Sequence, residues 1–168
     1  LNAEKTSNLK LFIKKVFITD KLDNVLPKYL RFVSGIIDSE DISLNISREM
    51  LQNNPVISKI KKGITLKILN EFSNIAKNEN ENYLSFWKNF GAVIKEGLYE
   101  LNDHHEKILT LLRFESSLNS KYISLDEYVN SMAKDQKEIF YFANTDKDHI
   151  KNSPQLEVFL DKKIPVLF

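Results

Sequence analysis

The sequence predicts an α/β fold in which two α/β pieces are joined by a helical connector. The first stretch of about 50 residues alternates strand-like and short helical segments. At Pro55 the apolar spacing changes from a period of two to one of three or four, and the last third returns to a strand, helix, strand order. The expected boundaries are 1–54 for the first piece, 55–118 for the connector and 119–168 for the second piece.

Residues 9–19, LKLFIKKVFIT, set Leu9, Leu11 and Ile13 on one face of an extended chain. The phase then shifts at Lys14-Lys15 to Val16 and Ile18, as in a bulged strand. Pro27 suits the first turn of a short helix, PKYLRFV, and after Gly35 the run GIID reads as a buried strand. Beyond Pro55, the residues Ile57, Ile60, Ile64, Ile68 and Phe72 form one face of a long helix. A second helical pattern carries Tyr83, Trp87, Phe90 and Ile94, and a third carries Ile108, Leu111 and Leu112. Such stripes are core far more often than ligand boxes.

In the last third, Ser124 to Glu127 (SLDE) has the spacing of a capping box, which starts a helix through Met132. Residues 138–143, EIFYFA, read as a strand, 153–160, SPQLEVFL, as a helix capped by serine with proline next, and IPVLF as another strand. That order is a βαβ unit with an expected right-handed crossover.

With 42% apolar and 28% charged residues among 168, the chain can bury a real core. Its net charge of +1, with lysines and carboxylates interleaved, lacks the strong positive field of a nucleic-acid binder, so no nucleic-acid partner is expected. There is no cysteine, which removes disulfides and thiolate metal sites and fits a reducing compartment, the cytoplasm by default. No apolar run reaches membrane-spanning length, and no membrane partner or secretion leader is expected. Residue 1 is leucine, and the terminal KKIPVLF stops inside an apolar run, which suggests an excised piece.

Few residues carry recognisable chemistry. His104 and His105 adjoin in NDHHEK, where neighbours do not converge on one helix face, and with His149 they read as surface histidines rather than metal ligands. Neither glycine-rich phosphate loop pattern occurs. Asp38, Glu40 and Asp41 form an acidic cluster of the kind that is usually solvated. The unusual feature is Arg48 in NISREML. If Ser47 caps a helix, Arg48 lies in its first turn, at the positive end of the dipole, where a cation is mildly unfavourable. Two readings stay open. Arg48 pairs with Glu49 or a nearby acid, which is the simpler reading by spacing alone; or its guanidinium, beside free helix amides, receives an anion such as a phosphate, with Gln52 one turn later as a neutral donor.

The segments LKLFIKKVFITD, LPKYLRFVSGIIDSEDISLNISREMLQ, FWKNFGAVIKEG, ISLDEYVNSM and NSPQLEVFLDKKIPVLF resemble the Hsp90 chaperone family nearly end to end, and FWKNFGAVIKEG points to its bacterial, high-temperature protein G branch. The resemblance implies most of a middle domain: part of a larger α/β/α sandwich, a helical connector and a smaller α/β/α sandwich. It implies that the whole protein is an ATPase using ATP and Mg2+, that this fragment alone is inactive and holds no cofactor, and that Arg48 contacts the γ-phosphate of ATP bound by a separate N-terminal domain. Gln52 lies on the same catalytic loop, Phe17 is its apolar support, and Asn45 and Ser47 shape it. Ser43 stands where the family pattern commonly has proline, so a rigid turn residue is absent. The implied partners are the protein's own N-terminal ATPase domain and C-terminal dimerisation domain, client polypeptides, and a second subunit in a full-length homodimer; a fragment without the dimerisation domain is compatible with a monomer. The rival is a non-catalytic protein-interaction module. A free-standing hydrolase would need convergent polar groups that this sequence does not supply.

Overall fold

Alternating residues at the start of the chain fold into a hairpin rather than one bulged strand. The computed structural model describes residues 8–20, 25–44, 51, 54–100, 103–143 and 153–168. Strand β1 (Asn8–Ile13) turns at Lys14-Lys15 into antiparallel β2 (Val16–Thr19), with a register shift between Leu11 and Phe12. The phase change seen in the sequence is thus a two-residue turn with an added bulge. A 3-10 turn, Lys28–Leu30, follows Pro27, and β3 (Ser34–Ser39) returns parallel to β1. The sheet order is β2-β1-β3, so β1 is central.

The change of period at Pro55 begins a long helix, α1 (Pro55–Asn78). Its start is set chemically: the Asn54 side chain accepts from the Val56 amide at 2.8 Å, and Pro55 occupies a position whose N–H would have no helical partner. Helix α2 (Asn80–Lys95) runs into a 3-10 turn, Glu96–Leu98, and α3 (His105–Leu111) completes the connector. Ring contacts tie these together: Phe32 stacks on Phe90 at 4.5 Å and on Phe72 at 6.2 Å, and Phe72 meets Phe86 at 4.7 Å. Tyr83 is fully buried on α2 and donates to the Leu111 carbonyl at 2.7 Å, fastening α3. Burial without a nearby cation strong enough to compensate pushes the Tyr83 phenol up to about 12.

One apolar cluster serves both sheet and connector. Leu9, Leu11 and Ile13 from β1 meet Tyr29, Leu30, Leu69, Trp87, Ile94 and Ile108. Trp87, Tyr83 and Ile94 are therefore core, as their spacing predicts, whereas the α1 stripe is rotated slightly: Ile57, Thr65 and Leu69 are its buried residues, with Ile60, Ile64, Ile68 and Phe72 packed at the margin.

The second piece is less regular than the sequence suggests. A two-stranded ladder pairs β4 (Phe114–Glu115) with β5 (Tyr122–Ile123), and α4 (Leu125–Ser131) starts at a complete capping box of Ser124 and Glu127. Helix α5 (Pro154–Asp161) begins at Pro154 after Ser153, whose side chain makes no cap bond. The expected strands at 138–143 and 164–168 are reduced to isolated bridges: Leu167 lies antiparallel to Ser116 and parallel to Tyr141. Pro165 lacks the N–H that a continuous ladder would use. The parallel order of a βαβ unit survives in that single bridge. Tyr128 takes over the work of the missing ladder, donating to the Pro165 carbonyl at 2.7 Å while accepting from the Phe140 amide at 3.0 Å and from Gln136 at 3.1 Å.

Two glycines give opposite expectations. A methyl at Gly97 would lie 2.8 Å from both Ile108 Cδ1 and Tyr29 Cγ, whereas one at Gly63 would meet nothing within 4 Å. Gly97→Ala should destabilise the chain by about 1–3 kcal/mol through overpacking. Gly63→Ala, inside α1, should stabilise it by about 0.5–1 kcal/mol. Urea denaturation of both variants beside the parent checks both signs.

Candidate functional site

The rim of the sheet at the C-terminal ends of β1 and β3 carries the features that precede the NISREML motif. Lys14 and Lys15 have φ of 49° and 68°, left-handed values that cost a non-glycine residue about 1–2 kcal/mol each. The end of β3 offsets that strain. The Lys14 amide donates to the Ser39 carbonyl at 3.1 Å, the Lys15 amide donates to Asp38 Oδ1 at 3.2 Å, and Lys15 Nζ lies 2.6 Å from Asp38 Oδ2. Both carboxylate oxygens of Asp38 are thus engaged by one residue of the neighbouring turn. Bonds from the Lys15 side chain and backbone hold the Asp38 carboxyl below its ordinary range, and the same pairing raises the Lys15 ammonium.

Phe17 lies on the same rim. It faces Phe12 across the β1–β2 ladder, edge to ring at 5.5 Å, and Phe12 is in turn the register partner of Asp38. Residues paired in register share a face, so Phe17, Phe12 and Asp38 form a row on the side of the sheet opposite Leu11 and Ile13. Phe17 is 52% exposed and Ile36, further along that face, 70%.

Beyond β3 the chain is pinned by Ile42, 2% exposed, and again by Leu51, 5% exposed; both belong to the main core cluster. Three residues after Leu51, Asn54 caps α1. Arg48, Gln52, Asn45 and Ser47 lie outside the described residues. Of the predicted site residues the structure describes Phe17, on the exposed face of the rim; along the chain, the Asp38–Lys15 pair, Ile42, Leu51 and the start of α1 are the described features nearest the others. An open groove of about 600 Å3 runs between β3 and α1, lined by Asp38, Glu40 and Asp41 on one side and Lys59 and Ile60 on the other. Of the three acids considered as partners for Arg48, Asp38 is paired with Lys15. Sequence reasoning missed Lys15, because Lys-Lys is not among the Asn-Gly or Gly-containing pairs that mark a two-residue turn; the phase shift between the two alternating runs is the only local signal.

His105 is exposed at the start of α3 and His104 half-buried at its N-cap, and His149 lies outside the described residues. Among the described residues no three His, Asp or Glu side chains are grouped to hold a metal ion, and no helix is long and apolar enough to cross a membrane.

The Hsp90 protein family model matches residues 1–168. This chain belongs to the Hsp90 family. It is 53% identical over 161 residues to the chaperone protein HtpG of Helicobacter hepaticus and 46% identical over 166 residues to that of Orientia tsutsugamushi, covering 96% and 99% of this chain. The chain spans about a quarter of the length of these curated relatives, 26% in each case. Its fold is shared with the middle domain of a Plasmodium falciparum heat shock protein, at a TM-score of 0.81 and 31% identity over 98% of this chain and 63% of the other. The α/β class read from the sequence is that of this Hsp90 middle domain, and the chain matches one portion of the longer HtpG relatives.

The Asp38–Lys15 pair gives a pH signature. Because the Asp38 pKa is depressed from 3.8 on folding, its contribution to stability is present above that value and lost as pH falls through the lower folded one. Because the Lys15 pKa is raised from 10.5, its contribution is present below that value and lost as pH rises through the higher one. Asp38→Asn should thus flatten the loss of stability below about pH 4 while leaving a small deficit at neutral pH, where the pair is exposed and screened. Thermal melts between about pH 3 and 7 test it.

Proposed function

We propose that this chain is the middle-domain portion of an ATP-dependent molecular chaperone that assists protein folding, and that Arg48 reaches the γ-phosphate of ATP held by a separate N-terminal domain. The observation that carries the reading is the match to the HtpG chaperones along nearly the whole chain. In the assembled protein Gln52 acts beside Arg48, Phe17 supports their segment from the sheet rim, and Asn45 and Ser47 shape it.

Physical fit supports the assignment of roles. The reading assigns nucleotide and Mg2+ to a separate N-terminal domain, and this chain has neither glycine-rich phosphate-loop pattern in its sequence. What this chain offers is a cation between two fixed anchors, Ile42 and Leu51, ahead of a capped helix. A guanidinium held there stabilises the charge that spreads over terminal phosphate oxygens during phosphoryl transfer. Lys15 occupies both oxygens of Asp38, which reduces the competition for Arg48 from the nearest acid at the end of β3. Because the arginine acts only after domains dock, hydrolysis becomes conditional on conformation, as in other enzymes gated by closure. The same reading includes client polypeptides along middle-domain surfaces, a homodimer joined through a C-terminal domain, and a cytoplasmic location.

The test is steady-state ATP turnover of the whole protein carrying Arg48→Ala, with nucleotide affinity measured in parallel. The expected result is a fall in turnover of about tenfold or more with affinity nearly retained, the pattern of an interaction made in the transition state. Phe17→Ala should lower turnover less than Arg48→Ala, since it acts through position. Unchanged turnover in Arg48→Ala would return NISREML to an ordinary helix start and favour a non-catalytic interaction module.

A further inference from the structure

A second place in the molecule, away from the rim, combines a half-buried amine with a cavity. Lys95, at the C-terminal end of α2, carries its ammonium 4.7 Å from the centre of the Phe114 ring and 5.7 Å from that of Trp87. Among the described residues it forms no ion pair. It opens into a cavity of about 260 Å3 that Lys88, Arg113 and Glu115 also line. Arg113 is buried, with its guanidinium over Tyr83 at 4.9 Å and Nη1 donating to the Thr110 and Leu112 carbonyls. A guanidinium has five N–H donors, so these two bonds leave others for an anion. Burial among the rings lowers the Lys95 pKa, which raises the share of neutral, nucleophilic amine at a given pH.

The arrangement pairs a nucleophile with cations that suit a phosphate. We propose that Lys95 is an acylation site, its amine taking the acyl group of a small acyl phosphate whose phosphate is held by Arg113 and Lys88. In the step, the Nζ lone pair attacks the carbonyl carbon and the carbon–oxygen bond to phosphate breaks. Its electron pair leaves with inorganic phosphate, and the amine proton passes to water. An amide forms and no oxidant or reductant is needed. Acylation removes the cation facing Trp87 and Phe114, so it changes the packing where α2 meets β4.

The probe is acetyl phosphate, added to the folded 168-residue chain near pH 8, with occupancy of each lysine followed by digestion and mass spectrometry. Lys95 should acquire acetyl several-fold faster than the exposed Lys134 and Lys137, and its lead should vanish in concentrated urea. Lys88→Gln or excess inorganic phosphate should reduce the Lys95 rate, whereas an acetyl thioester without phosphate should show no such preference for Lys95. Trp87 is the sole tryptophan, and its emission should shift in step with Lys95 occupancy. Lys95→Arg, which keeps a cation but no acylatable amine, should show no shift. Acetylation of Lys95 no faster than Lys134 in the folded chain would overturn the proposal, as would an equal emission shift in Lys95→Arg.

Discussion

One apolar core shared by a three-stranded sheet and the connector helices is the constraint on which the larger part of this structure rests. Sheet β2-β1-β3 is too small to enclose its own apolar face, so Leu9, Leu11 and Ile13 are covered by Tyr29, Leu30 and residues of α1, α2 and α3. Each of these elements is individually marginal; packing against a common interior stabilises them together. The close approach of Gly97 to Tyr29 and Ile108 shows how little slack that interior has. A bidentate pair at its edge, Arg31 Nη1 and Nη2 to Glu96 at 2.5 and 2.8 Å, joins the 3-10 turn before β3 to the one after α2.

That shared core also fixes the chain at both described ends of the segment between β3 and α1. Ile42 and Leu51 belong to the same interior as the helices, so the chain on either side of the arginine motif is fixed to rigid elements. The two lysines of the β1–β2 turn adopt costly left-handed conformations, and hydrogen bonds to Asp38 and Ser39 make that geometry tolerable. Strain, charge pairing and apolar anchoring thus converge on one edge of β3.

The smaller piece solves a similar problem by other means. Beyond the short β4–β5 ladder, its expected strands at 138–143 and 164–168 are reduced to isolated bridges, and the buried Tyr128 hydroxyl serves as the junction between 136–140 and Pro165. A single phenol that both donates and accepts can replace several backbone pairings when it is dry. No spacing rule in the sequence marks Tyr128 as more than another aromatic residue on a short helix. Arg48, by contrast, draws attention in the sequence because a cation in the first turn of a predicted helix is chemically out of place; it lies outside the described residues, whereas Lys15 and its hold on Asp38 come from the structure.

Local physics therefore determined much of this protein from its sequence. The start of α1 at Pro55, the capping box at Ser124 and Glu127, the core aromatics of α2 and the family itself are written in residues close together in the chain, where periodicity and side-chain-to-backbone bonding act over a single turn. Tertiary structure alone decided that Lys15 engages Asp38, 23 residues away, that Leu69 rather than Ile64 faces the interior, and that Lys95 lies over Phe114 and Trp87 beside Arg113. Those pairings depend on which faces meet when separate elements close on one core, and no spacing along the chain fixes that.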